Sequence, residues 1–373
     1  MIRRPPRSTQ SRSSAASDVY KRQYQYWITV AFFITIPHII IGLYSISKGG
    51  FFLPNPIILK GFEETPSIIT FIHRYIYSGV INLVENTHLF VSVLISLAFL
   101  IYFYWHNHGK NITFWAETRD INNLQHSFFN IKIEHLNDIS IIFIFTTLLH
   151  IQFAKTGWFY RYEAYLVGIF IIFLLPFLTK FLIEYSKNSN LTIKPKGRLY
   201  LLILLFVLTL PFIHRGIESH NRLRFAPINI YEQQYQISKF LDRHLPDQPV
   251  GMNDIGCASL KSKAKVIDLF GLADNNITGA KYKGFYSPEY FYEYLSKKNC
   301  SVMIIYEAWF NKEIKYNKEI IRVATLKIQN NEVCGMDEVT FYALNQSSAE
   351  SLKSSLEKHR EVLPKTVNLR ILI

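Results

Sequence analysis

Five apolar runs dominate the chain, and a globular core built from fewer than two hundred residues cannot hide them all. They cover residues 26–46, 87–105, 139–154, 164–183 and 199–213. The first is uncharged but contains Pro37 and His38, and the second is uncharged and ends in four aromatic residues. The third is short, with His150 and Gln152 near its end, and the fourth holds Pro176 and Lys180. The fifth is the shortest, with Arg198 and His214 placed to snorkel at its two ends. Uncharged stretches of about 18 or more residues read as bilayer-crossing helices. The expectation is a membrane α-helical region of about five transmembrane helices.

Charge needs one correction first. Residues 1–23 (MIRRPPRSTQSRSSAASDVYKRQ) have no apolar periodicity and resemble translated sequencing-adapter read-through. A mitochondrial presequence is the competing reading, but its RRPPRS run makes a poor amphipathic helix. Set aside as non-native, the segment removes six basic residues and one aspartate, so the net charge of +13 falls to +8. That excess belongs to membrane-flanking loops and points to no nucleic-acid partner. The division that follows is 1–23 non-native, 24–213 transmembrane, 214–345 an α/β domain and 346–373 a polar tail. The chain then reads as the C-terminal part of a longer protein.

Lys187, Lys194, Lys196 and Arg198 cluster in one short loop, the best candidate for the cytoplasmic side. Alternation places 47–86, the 155–163 turn and everything after 213 outside. In the outer domain, short strands at 250–253, 266–269, 301–306 and 339–344 alternate with helices at 231–244 and 288–297. This pattern predicts a small extracytoplasmic α/β domain with a mainly parallel sheet. Cys257, Cys300 and Cys334 permit one disulfide, the pair being left open. No metal or nucleotide motif is visible.

Three places carry chemistry. The turn Gly157–Tyr165 (GWFYRYEAY) sets Arg161 and Glu163 among five aromatic rings at the expected water–lipid boundary. An aromatic belt with a snorkelling arginine is the plain reading, and a phosphate-binding site is the other. In the first outer loop, Asn55 and Lys60 stand beside Pro54 and Pro56. In the α/β domain, Asn253-Asp254-Ile255-Gly256 and Ile267-Asp268-Leu269-Phe270-Gly271-Leu272 each follow a strand. A carboxylate there is either a ligand contact or a turn residue.

Taken in order, the Leu-Pro-Asn…Lys loop, the RYE turn and the NDIG and IDLxGL elements resemble the C-terminal half of bacterial GT-C glycosyltransferases. The nearest group is similar to mycobacterial terminal arabinofuranosyltransferases. The resemblance implies transfer of a sugar from a polyprenyl-phosphate donor to a cell-envelope glycan or lipid acceptor. It places this reaction outside the bacterial cytoplasmic membrane, in a multi-pass protein. It implies a catalytic acidic residue in an upstream outer loop, so none is assigned in this chain. By the chemistry of the residues, Arg161 meets the phosphate, with Glu163 orienting it or touching sugar hydroxyls. Tyr162, Lys60, Asn55 and Asp254 complete the substrate-binding set. No cofactor is implied, and a divalent-metal requirement stays open. A transporter, or a membrane-anchored sensor with an outer ligand-binding domain, is the alternative.

Overall fold

The computed structural model describes residues 10–61, 77–106, 133–154, 156–187, 195–317 and 319–373. The N-terminal part is helical: Gln10–Ser47, Asn55–Gly61, Ser78–Glu85, Thr87–His106, Ile133–Phe153, Ala164–Lys187 and Pro195–Leu223. Leu89, Val93, Leu136, Phe143, Leu166, Phe170 and Phe173 form a buried cluster between these helices. Phe170 stacks on Phe212 with centroids 5.8 Å apart, joining the last long helix to it.

The expectation of about five transmembrane helices is overturned. Among the described residues, no single helix is long and apolar enough to cross a membrane. One pair, Gly79–Glu85 and Thr87–Ile101, has the length and composition together but bends by 99° at its break. Among the described residues, shorter apolar helix runs over Ala31–Ser47, Leu136–Gln152 and Ala164–Leu175 besides that bent pair. The first continues an otherwise polar helix that begins at Gln10. At the 99° break, Asn86 donates to the carbonyl of Asn82 and to the Thr156 hydroxyl at 2.7 and 3.1 Å. Its own N–H also bonds the Asn82 carbonyl, and the side chain ties the break to the segment after helix Ile133–Phe153.

Beyond Leu223 the chain builds a six-stranded sheet in the order β2-β1-β3-β5-β4-β6. Its strands are β1 (Pro249–Met252), β2 (Lys265–Asp268), β3 (Val302–Ile305), β4 (Ile321–Lys327), β5 (Glu338–Ala343) and β6 (Asn368–Ile371). β1 pairs in parallel with both β2 and β3, whereas β3–β5, β5–β4 and β4–β6 are antiparallel. The sheet is therefore mixed, a second correction to the mainly parallel expectation. No helix intervenes between β4 and β5, so the chain returns alongside itself, as antiparallel neighbours do.

Two apolar layers cover the sheet. One gathers Ile237, Phe240, Leu241, Val250, Ile304, Phe341, Leu352 and Leu356, and the other Leu269, Ile277, Phe291, Leu295, Met303 and Ile305. The segment read as a polar tail belongs to this unit. Helix Gln346–Arg360 buries Ala349, Leu352, Leu356 and His359, and β6 extends the sheet. All three cysteines are free thiols.

Candidate functional site

The turn before helix Ala164–Lys187 has an unusual backbone. Gly157, Trp158, Phe159 and Tyr160 follow one another with φ of 84°, 48°, 61° and 56°. Left-handed geometry suits glycine, but in bulky residues it costs about 1 kcal/mol or more apiece and persists only where surroundings enforce it. Here they do. Glu163, fully buried, accepts a hydrogen bond from the Gly157 N–H at 2.9 Å, closing the turn from inside. Arg215, from helix Pro195–Leu223, donates to the Tyr160 carbonyl at 3.0 Å and lies 4.9 Å over the Tyr160 ring. The Tyr160 hydroxyl donates to Glu218, one turn further along the same helix.

Glu163 does not face outward, where sugar hydroxyls would meet it. Its Oε1 lies 3.9 Å from Arg215 and 4.0 Å from His88, beneath the turn. Arg161 points the other way. It is exposed, with its guanidinium 5.3 Å from the centre of the half-buried Tyr162 ring. It is also close enough to Asp254 to act on that carboxyl's ionisation.

Asp254 stands just past the C-terminal end of β1, and Tyr306 just past that of β3. β1 and β3 are neighbours, while the chain leaving β1 first crosses to β2 on the other side. That reversal makes the gap between β1 and β3 the switch point where open α/β sheets take their ligands. Two buried glutamines of the π-helix Ile230–Tyr235 reach into it. Gln234 donates to Asp254 at 2.8 Å and to the Tyr306 hydroxyl at 2.9 Å. That hydroxyl lies 2.7 Å from Gln233 Oε1 and 3.2 Å from Asp254.

Burial pushes the Asp254 carboxyl above its ordinary value, while the Tyr306 hydroxyl and the Arg161 guanidinium pull it partway back. A small cavity lies here, lined by Gln234, Met252, Asn253, Asp254, Ile304 and Tyr306. Asn253 accepts from the Tyr306 N–H at 3.0 Å and leaves its own buried amide nitrogen without a hydrogen-bond partner. Trp309 closes one side, 5.3 Å from Tyr306 and 5.4 Å from Phe270, which follows β2. This edge therefore offers a carboxyl, amide groups and aromatic faces with an exposed arginine beside them. The cavity itself, about 10 Å³, has room for a single water, and its polar groups bond chiefly to one another.

A family model described as a domain of unknown function, DUF8728, matches residues 228–342. The match takes in Gln233, Gln234, Asp254 and Tyr306 but stops short of the Arg161 turn on its N-terminal side. No curated protein and no solved structure matches the chain.

The other residues singled out in the sequence divide. Asn55 opens helix Asn55–Gly61 and donates to the Gly271 carbonyl at 3.3 Å and to Asn275 at 3.1 Å. It docks the first loop on the α/β unit rather than beside Arg161. Lys60 lies in the same helix, and its side chain is outside the described residues, as is that of Lys180. Asp268 is a turn residue: its carboxylate accepts the N–H groups of Phe270, Gly271 and Ala273 at 2.6–3.0 Å. Among the described residues no cluster of histidine, cysteine and acidic side chains could hold a metal ion.

Sequence reasoning passed over Arg215, Glu218, Gln233, Gln234 and Tyr306. One signal was there. Glu232-Gln233-Gln234 falls where an amphipathic helix should present apolar residues, and buried amides need partners.

Proposed function

We propose that the chain belongs to a membrane-associated glycosyltransferase. It would transfer a sugar from a polyprenyl-phosphate donor to an envelope glycan or lipid, on the outer face of the bacterial cytoplasmic membrane. The observation that carries this reading is that Arg161 is exposed on the left-handed turn and its charge is felt by the Asp254 carboxyl at the switch point. An arginine suits the phosphate, because its planar fork meets two oxygens at once. As the acceptor oxygen bonds to the anomeric carbon, the phosphate leaves with the electron pair and Arg161 meets its growing charge. Asp254, Gln234 and Asn253 offer sugar hydroxyls both donors and acceptors. The resemblance assigns the catalytic acidic residue to an upstream loop, so none of these is given that role.

Lipid contact is supported by side chains that the helices leave outward, among them Phe33 at 70%, Phe145 at 64% and Ile172 at 59% exposure. The test is transfer from a radiolabelled polyprenyl-phosphate sugar by bacterial membranes containing the chain. Arg161→Ala should lose on the order of a hundredfold in rate, about 3 kcal/mol, and Arg161→Lys should keep part of it. Wild-type transfer by both variants at equal membrane abundance would return Arg161 to an aromatic belt.

A further inference from the structure

We propose that Arg215 is the positioning residue that aims Arg161, acting through the left-handed turn. This rests on reading Arg161 as the phosphate-binding cation. Arg215 is mostly buried, and the obvious role for it is an ion pair with buried Glu163. The geometry argues otherwise. The closest approach of the two is 3.9 Å, and neither Glu163 Oε1 nor Arg215 Nε has a hydrogen-bond partner. The pair therefore does not fix where the Arg215 guanidinium points, although removing Arg215 would strand the buried Glu163 charge.

The contacts Arg215 makes well are both to Tyr160, one to its carbonyl and one to its ring. The Tyr160 carbonyl belongs to the peptide plane that ends at the Arg161 nitrogen. Holding that oxygen sets the plane's orientation and therefore the direction in which the Arg161 side chain leaves the backbone. Left-handed tyrosine would otherwise relax toward ordinary φ and swing Arg161 away.

The same helix face continues the hold. Glu218 takes the Tyr160 hydroxyl, and Arg222 bridges Glu218 at 2.9 Å to Glu332 at 3.4 Å. Glu332 lies in the connection between β4 and β5, within the unit that carries Asp254. Arg215, Glu218 and Arg222 thus tie the turn to the unit that carries Asp254. Arg215→Lys keeps the charge and one donor, whereas Arg215→Met keeps only the bulk.

Arg161 is itself the cleavage point for trypsin, so the turn reports its own release. The full chain, its Arg215→Met and Arg215→Lys variants and an Arg224→Met control would be digested briefly. Cleavage after Arg161 would be followed by mass spectrometry. Binding of undecaprenyl phosphate in mixed micelles would be measured alongside, with Arg161→Ala included. Arg215→Met should be cut after Arg161 at least about tenfold faster and bind the lipid about tenfold more weakly. Its thermal midpoint should fall, because buried Glu163 loses its nearest cation. Cutting after Arg161 is therefore read relative to cutting after Lys327 in β4. Arg215→Lys should fall between, and Arg224→Met should match wild type.

If Arg215→Met is cut like wild type, the proposal is overturned whatever the lipid shows. It is equally overturned if Arg161→Ala weakens binding and Arg215→Met does not. Faster cutting with wild-type lipid binding in both variants would leave the hold on the turn standing. It would sink the phosphate reading of Arg161 instead.

Discussion

Asp254 shows what a carboxyl gains and loses by standing at a sheet edge under an aromatic cover. Its raised pKa means the fold binds its proton more readily than the unfolded chain does. Stability from this group is therefore highest below the ordinary carboxylate range. It falls as pH rises from that ordinary value to the raised one, and stays lower above. Asp254→Asn removes the dependence, because an amide accepts from Gln234 without ionising. At neutral pH the variant should melt at or above the wild-type midpoint, and the difference should vanish near pH 3, about where both forms are uncharged. Thermal melts across that range check it, and a variant less stable at neutral pH than in acid, relative to wild type, refutes it. Asp254 was legible in the sequence because a strand followed by Asn-Asp-Ile-Gly marks a β-strand end. Its partners were not, since Gln234 and Tyr306 lie 20 and 52 positions away. Only the strand order brings them to it.

Elements were legible where local pattern and tertiary demand agree. Helix Pro288–Lys297 carries a Ser287 cap and a proline at its start, and appears with the bounds its sequence predicts. β4 was missed because Arg322, Thr325 and Lys327 interrupt an apolar run that becomes central only once β5 and β6 flank it. The π-helix was read as ordinary amphipathic helix, although Tyr231 of its supposed apolar side is exposed and Gln233 is buried. The wider turn of the π-helix sets Glu232, Gln233 and Gln234 inward together. Helix Gln346–Arg360 was read as polar and frayed, yet it buries His359 against Phe240 and His244, with ring centroids 5.4 and 5.5 Å away. Burial, then the charges of His244, Arg243 and Lys239, holds the His359 imidazole down to about 4. A lowered folded pKa means the unfolded chain takes up the proton first as pH falls. This contribution is whole above about 6.5 and drains away toward about 4, roughly 3 kcal/mol in all. His244, also lowered, works in the same sense. Replacing His359 with Phe should flatten the acid limb of the denaturation midpoint plotted against pH. An unchanged limb would place the acid sensitivity elsewhere.

At the scale of the whole molecule, the apolar runs were easy to see and their role was misjudged. Hydropathy reports how many apolar side chains adjoin in sequence, whereas crossing a bilayer needs them in one unbroken helix. At Asn86 a 99° bend interrupts one such stretch. The outward-facing rings and aliphatic chains remain, so the chain should float with liposomes of anionic bacterial lipids. It should stay soluble after alkaline carbonate extraction only if these helices lie on the surface without inserting.

The docking of Asn55 on Gly271 and Asn275 has a consequence for the order in which the molecule comes together. Those contacts join residues 216 and 220 positions apart. Closing a chain segment of that length costs roughly 5 kcal/mol in entropy beyond a constant. A pair of amide contacts, with Phe51 meeting Tyr282 edge-on at 6.2 Å, offsets little of it alone. They can persist only after the helices and the sheet have each formed and shortened the path between them. The first loop is then the last part of the fold to arrive and the first to leave. Amide protons of residues 49–61 should accordingly exchange far sooner than those of β1 and β3, which lie inside the sheet.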